Sequence, residues 1–112
     1  MIPGNGNNSV NVIDVPYQTI DLDALENIKS QAEKLFEVNQ FRILMNMSSV
    51  DYLSSTGLGL LVYINNKCTE NGGKFGVFGL QEYTLDMLKL TKLDSVINIF
   101  DTKDIAEQAL SA

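Results

Sequence analysis

Three consecutive segments decide the architecture: Phe41-Arg42-Ile43-Leu44-Met45-Asn46-Met47, then Ser48-Ser49-Val50-Asp51-Tyr52-Leu53, then Ser54-Ser55-Thr56-Gly57-Leu58-Gly59-Leu60-Leu61-Val62-Tyr63-Ile64. The first is mostly apolar without alternation, as befits a central strand covered on both faces. The last is apolar nearly all round and predicts a helix from Gly57 to about Cys68. Asn71-Gly72-Gly73 supplies residues tolerant of positive φ where that helix should stop. Strand, serine-rich turn and helix therefore follow one another closely, the start of a crossover to a parallel strand.

The rest of the chain repeats this alternation. Upstream, Val10 to Val15 predicts a strand ended by Pro16, and Asp21 or Asp23 can cap a helix with Leu25, Ile28, Ala32, Leu35 and Phe36 at helical spacing. Downstream, Lys74 to Phe78 predicts a strand, Glu82 to about Lys89 a short helix, and Val96 to Phe100 a last strand. Thr102 is placed to cap a final helix burying Ile105, Ala106, Ala109 and Leu110. Alternating strands and helices imply an α/β fold: a small mixed, mostly parallel β-sheet of about four or five strands with about four helices. Residues 1–9, rich in Asn and Gly, are expected to form a flexible start, leaving residues 10–112 as one domain.

Composition removes several function classes. The formal charge is −6, from 14 acidic and 8 basic residues, a field that disfavours nucleic acid and anionic membranes and suits a basic protein partner. With no histidine, Ser-His-Asp and Cys-His catalysis and the commonest metal ligand are gone, so no enzyme activity, cofactor or metal is expected. The carboxylates of Asp14, Asp21 and Asp23 are expected as caps or solvated loop charges, and Gly57-Leu58-Gly59 lacks the lysine of a phosphate-binding loop. Cys68 is the only cysteine; with no apparent signal peptide and no apolar run of membrane length, a cytoplasmic protein without membrane insertion is expected. On the presumed core face of its helix, Cys68 should be an inert buried thiol.

The turn Ser54-Ser55-Thr56-Gly57 has a plain explanation and a functional one. Either serine could cap the helix by accepting from an unpaired N–H of its first turn, worth about 1 kcal/mol. At about 100° per residue, Leu58, Leu61, Ile64, Asn65 and Cys68 share the core face, with Leu60 and Tyr63 off it. Ser55, Gly59, Val62 and Asn66 form another stripe, and apolar groups beside an accessible hydroxyl suggest a docking surface bordered by Tyr52. The competing explanation is a helix buried widely in a small domain. A phosphate on the turn would add about −1.5 to −2 charges, and a helix N-terminus tolerates an anion.

Arg42 to Leu61 resembles the signature of STAS domains, the bacterial anti-sigma factor antagonists: an apolar strand, a short loop, then Asp-Ser-Ser-Gly or Ser-Ser-Ala-Gly opening a helix. The likeness continues through Gly72-Gly73-Lys74, Leu93 and Ile97-Asn98-Ile99-Phe100-Asp101 to Ala109-Leu110, covering about residues 10–110. The resemblance implies partner switching: unphosphorylated, the protein binds an anti-sigma factor whose histidine-kinase-like ATPase domain is also a serine kinase. Phosphorylation of the turn serine breaks the complex and a serine phosphatase restores it. The motif aligns its phospho-acceptor with Ser55, and the partner-binding set would comprise Tyr52, Ser54, Ser55, Thr56, Gly57, Gly59, Val62, Tyr63 and Asn66. An alternative role is a constitutive STAS interaction subunit of a transport or sensory complex, with Ser55 only a cap. The sequence departs from the family pattern in carrying Ser54 where many members have Asp, and Pro16-Tyr17-Gln18-Thr19 where a Gly-x-x-Asp element is usual.

Overall fold

A computed structural model describes residues 9–112; the expected flexible segment falls almost wholly outside them. In chain order the elements are β1 (Asn11–Asp14), α1 (Leu22–Glu37), β2 (Arg42–Asn46), α2 (Ser55–Glu70), β3 (Lys74–Phe78), α3 (Glu82–Leu90), β4 (Asn98–Phe100) and α4 (Lys103–Ser111). A 3-10 turn, Leu93–Ser95, joins α3 to β4. The strands lie in the order β1-β2-β3-β4 and every pairing is parallel, so the sheet is not mixed among the described residues.

Sequential strand order has a consequence for the layers. Right-handed crossovers that always step the same way carry each connecting helix to the same face. Ile13, Ile43, Met45, Phe75 and Val77 accordingly point into one large core with Ile28 of α1, Leu60, Leu61 and Ile64 of α2, and Leu88 of α3. The opposite face is left to α4, where Leu44 packs with Ala106 and Leu110 and with the partly buried Val12, Phe78 and Phe100. Alternate residues of β2 thus enter different cores, which is why its central Ile43-Leu44-Met45 is an unbroken apolar run.

Local chemistry sets the ends. Asp21 caps α1, its Oδ1 accepting from the Ala24 N–H at 2.9 Å, and Thr102 caps α4, its Oγ1 accepting from the Ile105 N–H at 3.3 Å. After α2 the chain turns through Gly72 at φ 77°, a conformation that glycine adopts without a Cβ penalty.

Two expectations about the C-terminal third are corrected. The last strand starts at Asn98, not Val96, because the Val96 and Ile97 N–H groups both donate to the Leu93 carbonyl and are unavailable to a ladder. In α4 only Ala106 and Leu110 are buried; Ile105 and Ala109 are exposed, since one helix lying on a sheet buries a single narrow stripe.

Candidate functional site

The β2–α2 loop is pinned before it reaches its serines. Val50 and Leu53 are fully buried, and the Val50 carbonyl accepts from Thr84 Oγ1 of α3 at 3.1 Å. On the other side the Gln18 carbonyl accepts from both the Asp51 N–H (3.0 Å) and the Tyr52 N–H (3.2 Å). This joins the loop after β1 to the loop after β2 at the carboxyl ends of parallel strands, where ligands of open α/β sheets commonly bind.

With Leu53 anchored inward, the two serines take different roles. Ser54 is the N-cap: its Oγ accepts from the Gly57 N–H and donates to the Ile20 carbonyl, both long contacts at 3.4 Å. Ser55 is the first residue of α2 and is exposed, and no hydrogen bond of its side chain is found among the described residues. The helix therefore begins two residues earlier than the sequence suggested, and Ser55, Thr56 and Gly57 form its first turn.

Around that turn the proposed docking residues separate. Gly57 is buried, not surface: a Cβ there would come within 2.6 Å of Leu53 Cδ1, so it serves the close approach of the helix to the loop. Leu60 is also interior, 2% exposed, while Leu58 is only half-buried. The core face of α2 is rotated toward α1, which packs beside it on the same side of the sheet. Gly59, by contrast, has open space where a Cβ would stand.

Between α1 and α2 runs an open groove of about 370 Å³, lined by Leu22, Leu25 and Lys29 from one helix and Ser55, Thr56, Gly59, Leu60 and Tyr63 from the other. Leu22 is 69% exposed. At the far end the Tyr63 hydroxyl donates to Glu33 Oε2 at 2.8 Å, and Lys29 Nζ sits 5.0 Å above the ring. Partial burial raises the Tyr63 phenol pKa, and the hydrogen bond to Glu33 and that carboxylate's charge push the same way. Exposed Asn66, half-buried Val62 and exposed Tyr52 lie outside the groove lining, Tyr52 being stacked on Tyr83.

Sequence reasoning missed Leu22, read Lys29 only as part of the polar face of its helix, and read Leu25 as core alone. A signal was present: Leu22 follows the capping Asp21 and lies one turn before Leu25, extending the apolar stripe past what the core can cover. Of the three acidic residues considered, Asp21 is a cap and Asp14 Oδ1 accepts from Asn46 Nδ2 at 3.0 Å. Cys68 is fully buried, and burial pushes its thiol pKa up to about 12. No helix among the described residues is long and apolar enough to cross a membrane.

This arrangement of a capped, serine-headed helix behind a parallel strand has relatives. The sequence model of the STAS domain matches residues 7–106. The chain belongs to the STAS domain family. A Thermotoga maritima protein that carries the name of an anti-sigma factor antagonist is 33% identical over 61 residues, 54% of this chain and 54% of the relative. The match thus spans about half the length of that relative. The solved structure of an anti-sigma-factor antagonist (STAS) domain protein from Planctomyces limnophilus superposes with a TM-score of 0.79 at 26% identity, covering 90% of each chain. The Bacillus cell fate determinant SpoIIAA in its phosphorylated form shares the STAS fold, with a TM-score of 0.70 at 14% identity over 92% of this chain and 93% of that one.

Proposed function

We propose that this STAS domain is an anti-sigma factor antagonist that works by partner switching. Its unphosphorylated form binds an anti-sigma factor that is also a serine kinase, and phosphorylation of Ser55 ends the complex. The observation that carries this reading is the division of labour between neighbouring serines. Ser54 does the capping, so Ser55 is exposed at the head of α2 with its hydroxyl free of any role in holding the helix.

A dianion at that position would have opposite effects on domain and partner. It lies in the first turn of a helix, where the unsatisfied N–H groups favour negative charge by about 0.3–1 kcal/mol. The same group would stand on the rim of the groove formed by Leu22, Leu25, Gly59 and Leu60. An apolar side chain of a partner seated there would have to share its surroundings with a hydrated phosphate, which the desolvation cost of charge opposes. Modification therefore spares the fold and spoils the docking surface. Support from relatives is consistent: one is named as an anti-sigma factor antagonist, and SpoIIAA has been solved phosphorylated.

The test is a pair of variants assayed against an anti-sigma kinase co-purified with the chain. Ser55→Ala should bind constitutively, and Ser55→Asp should lose binding. Incubating the wild type with the kinase and ATP should add one phosphate by intact mass, at Ser55. Equal binding by both variants, with no mass change, would leave a constitutive interaction subunit as the better account.

A further inference from the structure

Tyr52 and Tyr83 lie far apart in sequence and meet where the β2–α2 loop faces the start of α3. Their rings stack with centroids 5.7 Å apart and planes 18° from parallel. Stacking usually accompanies burial of aromatic area, yet Tyr52 remains 50% exposed and Tyr83 49% exposed. Neither ring belongs to the core or to the residues packed against it.

The pair is held rather than merely adjacent. Tyr52 N–H is bonded to the Gln18 carbonyl, fixing the loop backbone beneath that ring. The start of α3, which carries Tyr83, is tied to the same loop by Thr84 Oγ1 donating to the Val50 carbonyl and by Gln81 Nε2 donating to the Ser48 carbonyl at 2.9 Å. Such a platform loses little freedom when something settles on it. Its neighbours along the chain are acidic. Asp51 precedes Tyr52, Glu82 precedes Tyr83, and Asp86 follows Tyr83 by one turn on α3, all three exposed. The basic residues of that region, Lys89 and Lys92, come at and beyond the far end of α3.

We propose that the Tyr52–Tyr83 pair is a docking platform for an arginine side chain of a protein partner. A guanidinium is planar, so it can lie against an aromatic face, and its outer N–H groups can reach a neighbouring carboxylate in a bidentate pair. A lysine ammonium offers charge without the plane or the fork. The net charge of −6 on the chain favours approach of such a basic segment. This surface is built from the β2–α2 loop and α3, without α1, and stands whether or not Ser55 is phosphorylated.

The four tyrosines of the chain supply both probe and control. Ring signals of Tyr17, Tyr52, Tyr63 and Tyr83 are followed by NMR in the full chain during titration with a capped Gly-Arg-Gly peptide, then with Gly-Lys-Gly. The arginine peptide should shift Tyr52 and Tyr83 several-fold more than Tyr17 and Tyr63, and more than the lysine peptide does. Tyr83→Leu should abolish the shift at Tyr52, and Asp86→Asn should weaken it while leaving the ring stack in place. Equal shifts at all four tyrosines, equal response to lysine, or an undiminished Tyr52 shift in Tyr83→Leu would each overturn the assignment.

Discussion

Gly57 and Gly59 belong to neighbouring turns of α2, one on its inner side and one on its outer side. A methyl group at Gly57 would meet the buried Leu53 side chain at 2.6 Å, whereas at Gly59 it would meet nothing within 4 Å. The adjacent serines divide in the same way, Ser54 bonded inward to Ile20 and the helix, Ser55 facing solvent. The inner side is constrained by packing, and the outer side is free to be a surface. The lesson is that residue type says little about role at a helix head; the direction of the preceding anchor, here Leu53, says more.

Four measurements test that contrast between inner and outer sides. The largest effect concerns Cys68, on the inner side. Its folded thiol keeps a proton that the unfolded chain loses from about pH 9.0, so the stability it contributes is intact below that pH and is lost as pH rises toward about 12. Labelling by a thiol reagent at neutral pH should be slowed about 10³-fold or more relative to the denatured chain, following the folding equilibrium. Rapid labelling of the folded protein would place Cys68 outside the core.

Next is Leu60→Ala, expected to cost about 2–5 kcal/mol in denaturant unfolding, because it empties an interior site between α1 and α2. A cost below about 1 kcal/mol would restore Leu60 to the surface. Third comes the glycine pair. Gly57→Ala should destabilise by up to about 2 kcal/mol, crowding of the buried Leu53 side chain outweighing the gain in helix propensity, while Gly59→Ala should stabilise by about 0.5–1 kcal/mol through helix propensity. If both shift the midpoint in the same direction, the inner and outer assignment fails. Smallest is the serine pair: Ser54→Ala should cost about 0.5–1 kcal/mol as a lost cap, and Ser55→Ala should stay within about 0.5 kcal/mol of wild type.

Much of the fold is legible in the sequence because local signals agree with one another. Lys74 to Phe78 has strand composition between a glycine turn and a polar break, and the strand occupies those residues. Thr102 and Asp21 each stand before a periodic apolar segment and each caps it. What local pattern cannot carry is the position of neighbours. The burial of Leu60 depends on α1 lying alongside α2, and the exposure of Ile105 and Ala109 depends on α4 being, among the described residues, the one helix on its face of the sheet. At the candidate site, two consecutive serines satisfy the capping pattern equally well; the choice between them is made by Leu53 and the Ile20 carbonyl, which no helical spacing reveals. The groove likewise needs two helices, so its α1 half was invisible from the turn alone.

The joint between the loops after β1 and β2 is made of main-chain groups, the Gln18 carbonyl and the Asp51 and Tyr52 amides. Such a joint leaves no signature in side chains. Two homologues could share no letter across residues 16–19 and still be joined at that seam, and a sequence comparison would score the region as unrelated. The substitution that would unpick it directly is a proline at position 51 or 52, which deletes a donor. The unusual Pro16-Tyr17-Gln18-Thr19 stretch is therefore a change of wording in a segment whose grammar is written in the backbone.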